Sequence, residues 1–236
     1  MSRAIKPDLD SLYQFIDSYS MPRIDDNVEY KEQIKRLHKV YFSLLTMHSC
    51  IQAHDINSGT QHLTDQKMYL NESISELGSA FFISLHGCYK AAEQVLRSSL
   101  ENFFKALACN KHPEILNSKS TYEVIDAAKT AEIFNVQSNE QKYNLLKQEY
   151  SLLCATVHTA NSMHMQNVSA IGYFPHFNSG GANKFATHYL KIVKAFLELL
   201  CFEYKDAYLN AHYSNKDIIN SCLPAGILDR LSNAVA

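Results

Sequence analysis

Residues 27–54 read NVEYKEQIKRLHKVYFSLLTMHSCIQAH, and this stretch decides the fold class. Its apolar and aromatic side chains recur as Tyr30, Ile34, Leu37, Tyr41, Leu44 and Ile51, with His48 standing in the one gap. Steps of three and four return to the same face of a helix, so the spacing predicts one long amphipathic helix from about Asn27 to His54. A strand would need alternation of period two, which this run does not have.

The same period extends in both directions. Pro7 at a first-turn position and Asp8 open a shorter helix whose apolar face is Leu9, Leu12, Phe15 and Ile16, ending in Ser20-Met21-Pro22. Asp55 to Thr64, centred on Asn57-Ser58-Gly59, reads as a turn. A second helical stretch runs from about Asp65 to Cys109, interrupted by Gly78 and Gly87; a break at Gly87 makes Cys88 to Cys109 a unit of its own. Ser120-Thr121-Tyr122-Glu123 and Ser138-Asn139-Glu140-Gln141 match the capping box and place two more helix starts. A third long helix is expected from Ala182 to His212, and a short terminal one from Asp217 to Leu231, bent or broken at Pro224. Met163 to Gly181 breaks the pattern, and Asn178-Ser179-Gly180-Gly181 is its loosest spot. Irregular segments on a rigid scaffold are where sites are built, although a plain crossover between helices would read the same way. The expected fold is all-α: a single helical bundle of long antiparallel helices, with residues 1–64 packing on a bundle core formed by 65–236.

Composition agrees and excludes other classes. Only 7 Gly and 5 Pro occur in 236 residues, too few for a collagenous or low-complexity chain, or for an all-β sandwich with its frequent turns. The 22 basic and 24 acidic side chains nearly balance, whereas a protein that lives on nucleic-acid phosphates usually carries a basic excess. The six cysteines include no Cys-x-x-Cys pair, so zinc knuckles and thioredoxin-type sites lack a signature; most sit in apolar helical patterns as small hydrophobes. Met1 to Asp8 lacks the apolar region of a signal peptide, and Lys194, Glu198 and Glu203 interrupt the most apolar segment. A cytoplasmic protein without a membrane segment is expected.

Two helical segments carry polar residues with chemical content. From Gly87 to Asn110, Glu93, Arg97, Glu101 and Lys105 form a stripe at i, i+4 spacing, beside an apolar face of Tyr89, Ala92, Leu96, Leu100, Phe103 and Leu107. A stripe of this kind is ordinarily a solvated charge ladder. Arginine is scarce here, however, and Arg97 lies close to the apolar boundary, where a fixed guanidinium makes a fork for phosphate or carboxylate. In the second segment Tyr150 and His158 stand eight residues apart, about two turns along one helix face. Histidine is the usual proton-transfer side chain near neutrality, and is also common as a structural residue at helix ends.

The run Ala-Ala-x-x-x-Leu-Arg-Ser-x-Leu-Glu (Ala91 to Glu101), followed by Glu-Tyr-x-x-Leu-x-x-x-x-His (Glu149 to His158), resembles a family of all-helical bacterial proteins that look like distant relatives of the HEPN domains. The resemblance covers roughly Ile74 to His212. HEPN proteins are helical bundles, frequently dimeric, common in toxin–antitoxin and phage-defence systems, and many are metal-independent ribonucleases that use an Arg and a His across a dimer interface. The resemblance therefore implies Arg97, Glu101, Tyr150 and His158 as the polar signature, RNA as substrate, a homodimer, and no cofactor or metal. One feature departs from the family pattern. Active members carry Arg and His in one short motif of four to six intervening residues, and no Arg in this chain is followed by a His at that distance. Any Arg–His pair must assemble from separate helices.

Other chemistries lack their motifs. No Glu-x-x-His pair, His-Glu-x-x-His, phosphate-binding Gly-rich loop or Gly-x-Ser-x-Gly elbow is present. Lys31, Lys35 and Lys39, with Arg36 and His38 nearby, form a stripe that could meet phosphates or simply be a solvated face; together with His164 they are the candidate substrate contacts. Two functions follow as expectations: a HEPN-like effector of a defence or toxin–antitoxin system that cleaves RNA, or a non-catalytic helical interaction module that works with a protein partner in such a system. A third helix apolar on more than one side (Phe185, Tyr189 and Phe196 against Leu190, Leu197 and Cys201) belongs either at the centre of a bundle or at a dimer interface.

Overall fold

The computed structural model describes residues 5–18, 27–58, 64–135, 137–158 and 175–233. They form helices α1 (Ile5–Ser18), α2 (Val28–Ser58), α3 (Thr64–Leu85), α4 (Tyr89–Ala108), α5 (Thr121–Ala128), α6 (Gln137–Val157), α7 (Ser179–Glu203), α8 (Lys205–Leu209), α9 (Tyr213–Asn220) and α10 (Ala225–Asn233), with 3-10 turns at Pro113–Asn117 and Glu132–Asn135. No strand occurs among the described residues, and the fold is all-α, a helical bundle in its packing. None of the described helices is long and apolar enough to cross a membrane. All six cysteines are free thiols.

The chain gathers into two units. One comprises the described residues within Met1–His54, Phe81–Tyr89 and Asn167–Ala236; the other comprises those within Asp55–Ala80 and Lys90–Gln166.

The first unit is built around α7. Every residue from Ala195 to Cys201 is buried within the chain, so the two-sided apolar character of this helix needs no second subunit. Tyr189 packs against Phe81 and Phe185, with ring centroids 6.0 and 5.4 Å apart. α2 lies against this core through buried Tyr30, Ile34, Leu37 and Leu44 of the face its spacing predicts, joined by Met47, while Tyr41 of that face is half-buried. Asp8 on α1 pairs with the buried imidazole of His38, and the Tyr13 hydroxyl donates to the Lys31 carbonyl at 3.2 Å. α7 starts at Ser179 rather than Ala182, because the Asn178 side chain accepts from the Gly181 N–H at 2.8 Å and caps it. The segment that looks loosest in sequence is thus partly a capped first turn; residues 163–174 of the same stretch lie outside the described residues. Gly181 also admits the Tyr89 ring, since a Cβ there would stand 2.6 Å from Tyr89 Cδ2. The long helix expected to reach His212 instead turns at Tyr204 and Asn210, giving α8 and α9, and Pro224 separates α9 from α10.

Gly87 ends α3, as its position between two apolar runs suggests. Its φ is 79°, and a Cβ would meet the His176 carbonyl oxygen at 1.8 Å, so no other residue fits. Gly78, by contrast, lies inside an unbroken α3.

In the second unit, Leu96, Leu100, Phe103 and Phe104 of α4 form a buried face with Tyr143, Leu146, Tyr150 and Leu153 of α6. The Tyr143 ring sits between Phe104 and Phe134 at 5.9 and 5.3 Å, and its hydroxyl donates to the Ile125 carbonyl at 3.1 Å. α3 is tied to α4 by Glu76, which accepts from Ser98 at 2.5 Å and Asn102 at 2.7 Å. Burial pushes the Glu76 carboxyl above its usual range despite these two bonds. Ser120 caps α5 at the expected start by accepting from the Glu123 N–H at 3.4 Å, but the box is only half formed, because the Ser120 N–H donates to Ser118 Oγ at 3.0 Å and the Glu123 carboxylate accepts from the Ser118 hydroxyl. The second box is displaced: α6 begins at Gln137, which makes Ser138 its second residue rather than its cap. Asn139 there is buried and donates to the Ile133 carbonyl at 3.0 Å.

Candidate functional site

The polar residues singled out on α4 and α6 meet in the second unit. Arg97 and Glu101 are one turn apart on α4, and the Arg97 Nη2 lies 2.7 Å from Glu101 Oε1. Across from them Tyr150, 2% exposed, points its hydroxyl at the pair. That hydroxyl accepts from Arg97 Nη2 at 2.7 Å and donates to Glu101 Oε1 at 3.2 Å, closing a three-membered ring of bonds. The Arg97 Cζ also stands 5.0 Å over the Tyr150 ring centroid, within cation–π range. Finally, Arg97 Nε donates to Cys154 Sγ at 3.1 Å. The guanidinium is therefore fixed by groups on both helices, yet 24% of its side chain stays exposed, and among the described residues its Nη1 has no acceptor.

Electrostatics keep this Arg charged and this Tyr protonated. Burial pulls the Arg97 value down, but its bond to Cys154 and the Glu101 charge outweigh that and hold it above the ordinary guanidinium value. Burial drives the Tyr150 phenol well above its usual value, with Glu101 adding to the rise and Arg97 and the Thr121 hydroxyl opposing it. Glu101 offsets the charge of Arg97, so what faces solvent is a positioned donor rather than a strong isolated cation.

The stripe along α4 is not a solvated ladder. Glu93 is 2% exposed, and Lys105 lies over the Tyr69 ring at 5.2 Å. His158 is the first residue beyond α6 and is exposed; its N–H still donates to the Cys154 carbonyl at 3.0 Å. The chain thus keeps helical pitch through His158, one turn past the cysteine that receives Arg97 and two turns past Tyr150. His158 stands outside the bonded cluster. Lys31, Lys35 and Lys39 lie on α2 in the first unit, half-buried, with Lys35 paired to Glu32 at 3.4 Å; His38 beside them is buried. His164 lies outside the described residues. Among the described residues no three His, Cys, Asp or Glu side chains gather as a metal-ligand set.

Two members of the site were not legible as such. Cys154 reads as a small hydrophobe, although its place four residues after Tyr150 puts it on the same helix face. Tyr122, at the start of α5, packs edge to face on Tyr150 with centroids 6.1 Å apart while remaining 58% exposed. Nothing in its local sequence points there, because α5 is short and the contact spans the fold.

Comparison with protein-family models, curated proteins and solved structures finds no match.

Proposed function

We propose that the chain is a HEPN-like effector of a bacterial defence or toxin–antitoxin system that cleaves RNA without a metal ion, using Arg97 and His158. The observation that supports this reading is the anchoring of Arg97. Three acceptors hold its guanidinium through Nε and Nη2 while about a quarter of the side chain stays exposed, which leaves Nη1 as a positioned donor for one phosphate oxygen. In the reaction, His158 removes the proton of a ribose 2′-hydroxyl, and that oxygen attacks the adjacent phosphorus. Arg97 stabilises the charge that builds on the phosphate oxygens. The bond from phosphorus to the 5′-oxygen breaks, and the leaving oxygen takes a proton from solvent, which yields a cyclic phosphate and a free 5′-hydroxyl. Glu101 and Tyr150 are positioning residues that act through Arg97. Lys31, Lys35, Lys39 and His164 are proposed substrate contacts on the strength of their residue types alone.

The family resemblance further proposes an isologous homodimer acting in the cytoplasm; light scattering at twice the 26.8 kDa chain mass supports it, and the single-chain mass refutes it. Expression in bacteria tests the function itself. Growth arrest relieved by Arg97→Ala and by His158→Ala supports the effector, and normal growth with the wild-type chain counts against it.

A second reading rests on the same cluster. Arg97, Glu101, Tyr150 and Cys154 satisfy one another between α4 and α6, which is what a register-fixing polar network does in a non-catalytic interaction module with a protein partner. The two readings separate on His158: an exposed residue outside the network matters to catalysis and not to helix register.

A further inference from the structure

Resting on the RNA reading above, we propose that Tyr122 is a stacking platform for an unpaired RNA base, next to the phosphate that Arg97 takes. The exposed aromatic and the positioned guanidinium are both mounted on one buried ring. Tyr150 carries Arg97 Cζ 5.0 Å from its centroid and meets Tyr122 edge to face, 6.1 Å away at 87°. Tyr122 uses its contact with Tyr150 for orientation and keeps 58% of its surface open. A large ring held at a fixed angle loses little entropy when a base stacks on it, and every base offers a π-face, so the contact selects single strands over sequence.

The local charges permit it. The Glu123 carboxylate beside Tyr122 accepts from the Ser118 hydroxyl at 2.5 Å, and Asp126 on the same helix is paired with Lys147 at 2.7 Å. Asp126 is thus offset by a cation, and the Glu123 carboxylate, still charged, is tied to Ser118. A duplex, whose bases stay stacked on one another, gains nothing from Tyr122, which places the preference on unpaired RNA.

The chain contains no Trp, so Tyr122→Trp introduces a single indole at this position. Fluorescein-labelled oligoadenylate serves as ligand, with anisotropy for affinity and indole emission for stacking. Wild type, Tyr122→Phe and Tyr122→Trp should bind alike, the indole should be quenched on binding, and Tyr122→Ala should bind about five- to 150-fold more weakly. The Ala variant loses the edge-to-face contact with Tyr150 and should melt slightly lower, yet stay folded at the assay temperature, which its thermal melt checks, so lost affinity is not lost structure. Wild-type binding with an unquenched indole and an unweakened Ala variant overturns the platform and leaves the RNA reading intact. If the wild type does not bind oligoadenylate at all, the RNA reading and the platform both fall.

Discussion

The Arg97 side chain engages Tyr150 twice: its Cζ lies over the ring at 5.0 Å, and its Nη2 donates to the hydroxyl at 2.7 Å. Tyr150→Phe separates the two contacts, because it keeps the ring and removes the oxygen that joins Arg97 to Glu101. A hydrogen bond to a charged group contributes about 1.5–3 kcal/mol, and Tyr150 is buried at 2% exposure. Denaturant unfolding should show a loss of that order, with an unchanged m-value. RNA cleavage should fall through kcat while the Tyr122 stack preserves binding. An unaltered kcat would mean that Glu101 and Cys154 suffice to fix Arg97.

Gly87 and Gly226 should respond in opposite ways to alanine. Gly87 sits at φ 79°, and an added Cβ would lie 1.8 Å from the His176 carbonyl oxygen, a backbone atom that cannot swing aside. Gly87→Ala should cost about 2 kcal/mol or more. Gly226 in α10 has nothing within 4 Å of its added Cβ, and Gly226→Ala should be neutral or stabilising by up to about 1 kcal/mol. Paired thermal melts check both.

Alkaline unfolding should carry the signature of Tyr89. Burial pushes its phenol up to about 12, from an ordinary value near 10. Below about 10 both folded and unfolded chains keep the proton, and the contribution is complete. As pH rises from about 10 to about 12 the unfolded chain ionises first, so the unfolding free energy should fall by about 2 kcal/mol from this group. Tyr89→Phe loses the bond from the Asn178 N–H at 3.4 Å at every pH, and it should show a shallower decline across that window. Equal slopes in the two proteins would refute the assignment.

The helices were legible where packing and spacing coincide. Tyr30, Ile34, Leu37 and Leu44 repeat at helical spacing and are buried on α2, which runs to Ser58, four residues past the expected end. Gly87 marks a break and Gly78 does not, a difference that rests on the close approach of the His176 carbonyl to Gly87. Asn178-Ser179-Gly180-Gly181 misled, because small polar residues that look like a loop also make a capped first turn. In the site, Arg97 and Glu101 were readable as an i, i+4 pair and Tyr150 through the family resemblance. Their closure into one ring with Cys154 was not readable, since it depends on how α4 and α6 pack, a relation between residues some fifty positions apart.

The proposed joint action of Arg97 and His158 on RNA can be read on purified protein. The most direct measurement incubates purified wild-type, Arg97→Ala and His158→Ala proteins with labelled single-stranded RNA in EDTA and resolves the products on a gel. Cleavage by the wild type to ends bearing a cyclic phosphate, lost by a factor of about 100 or more in each variant, is the predicted result. Intact RNA with the wild type, or equal cleavage by all three proteins, would contradict it.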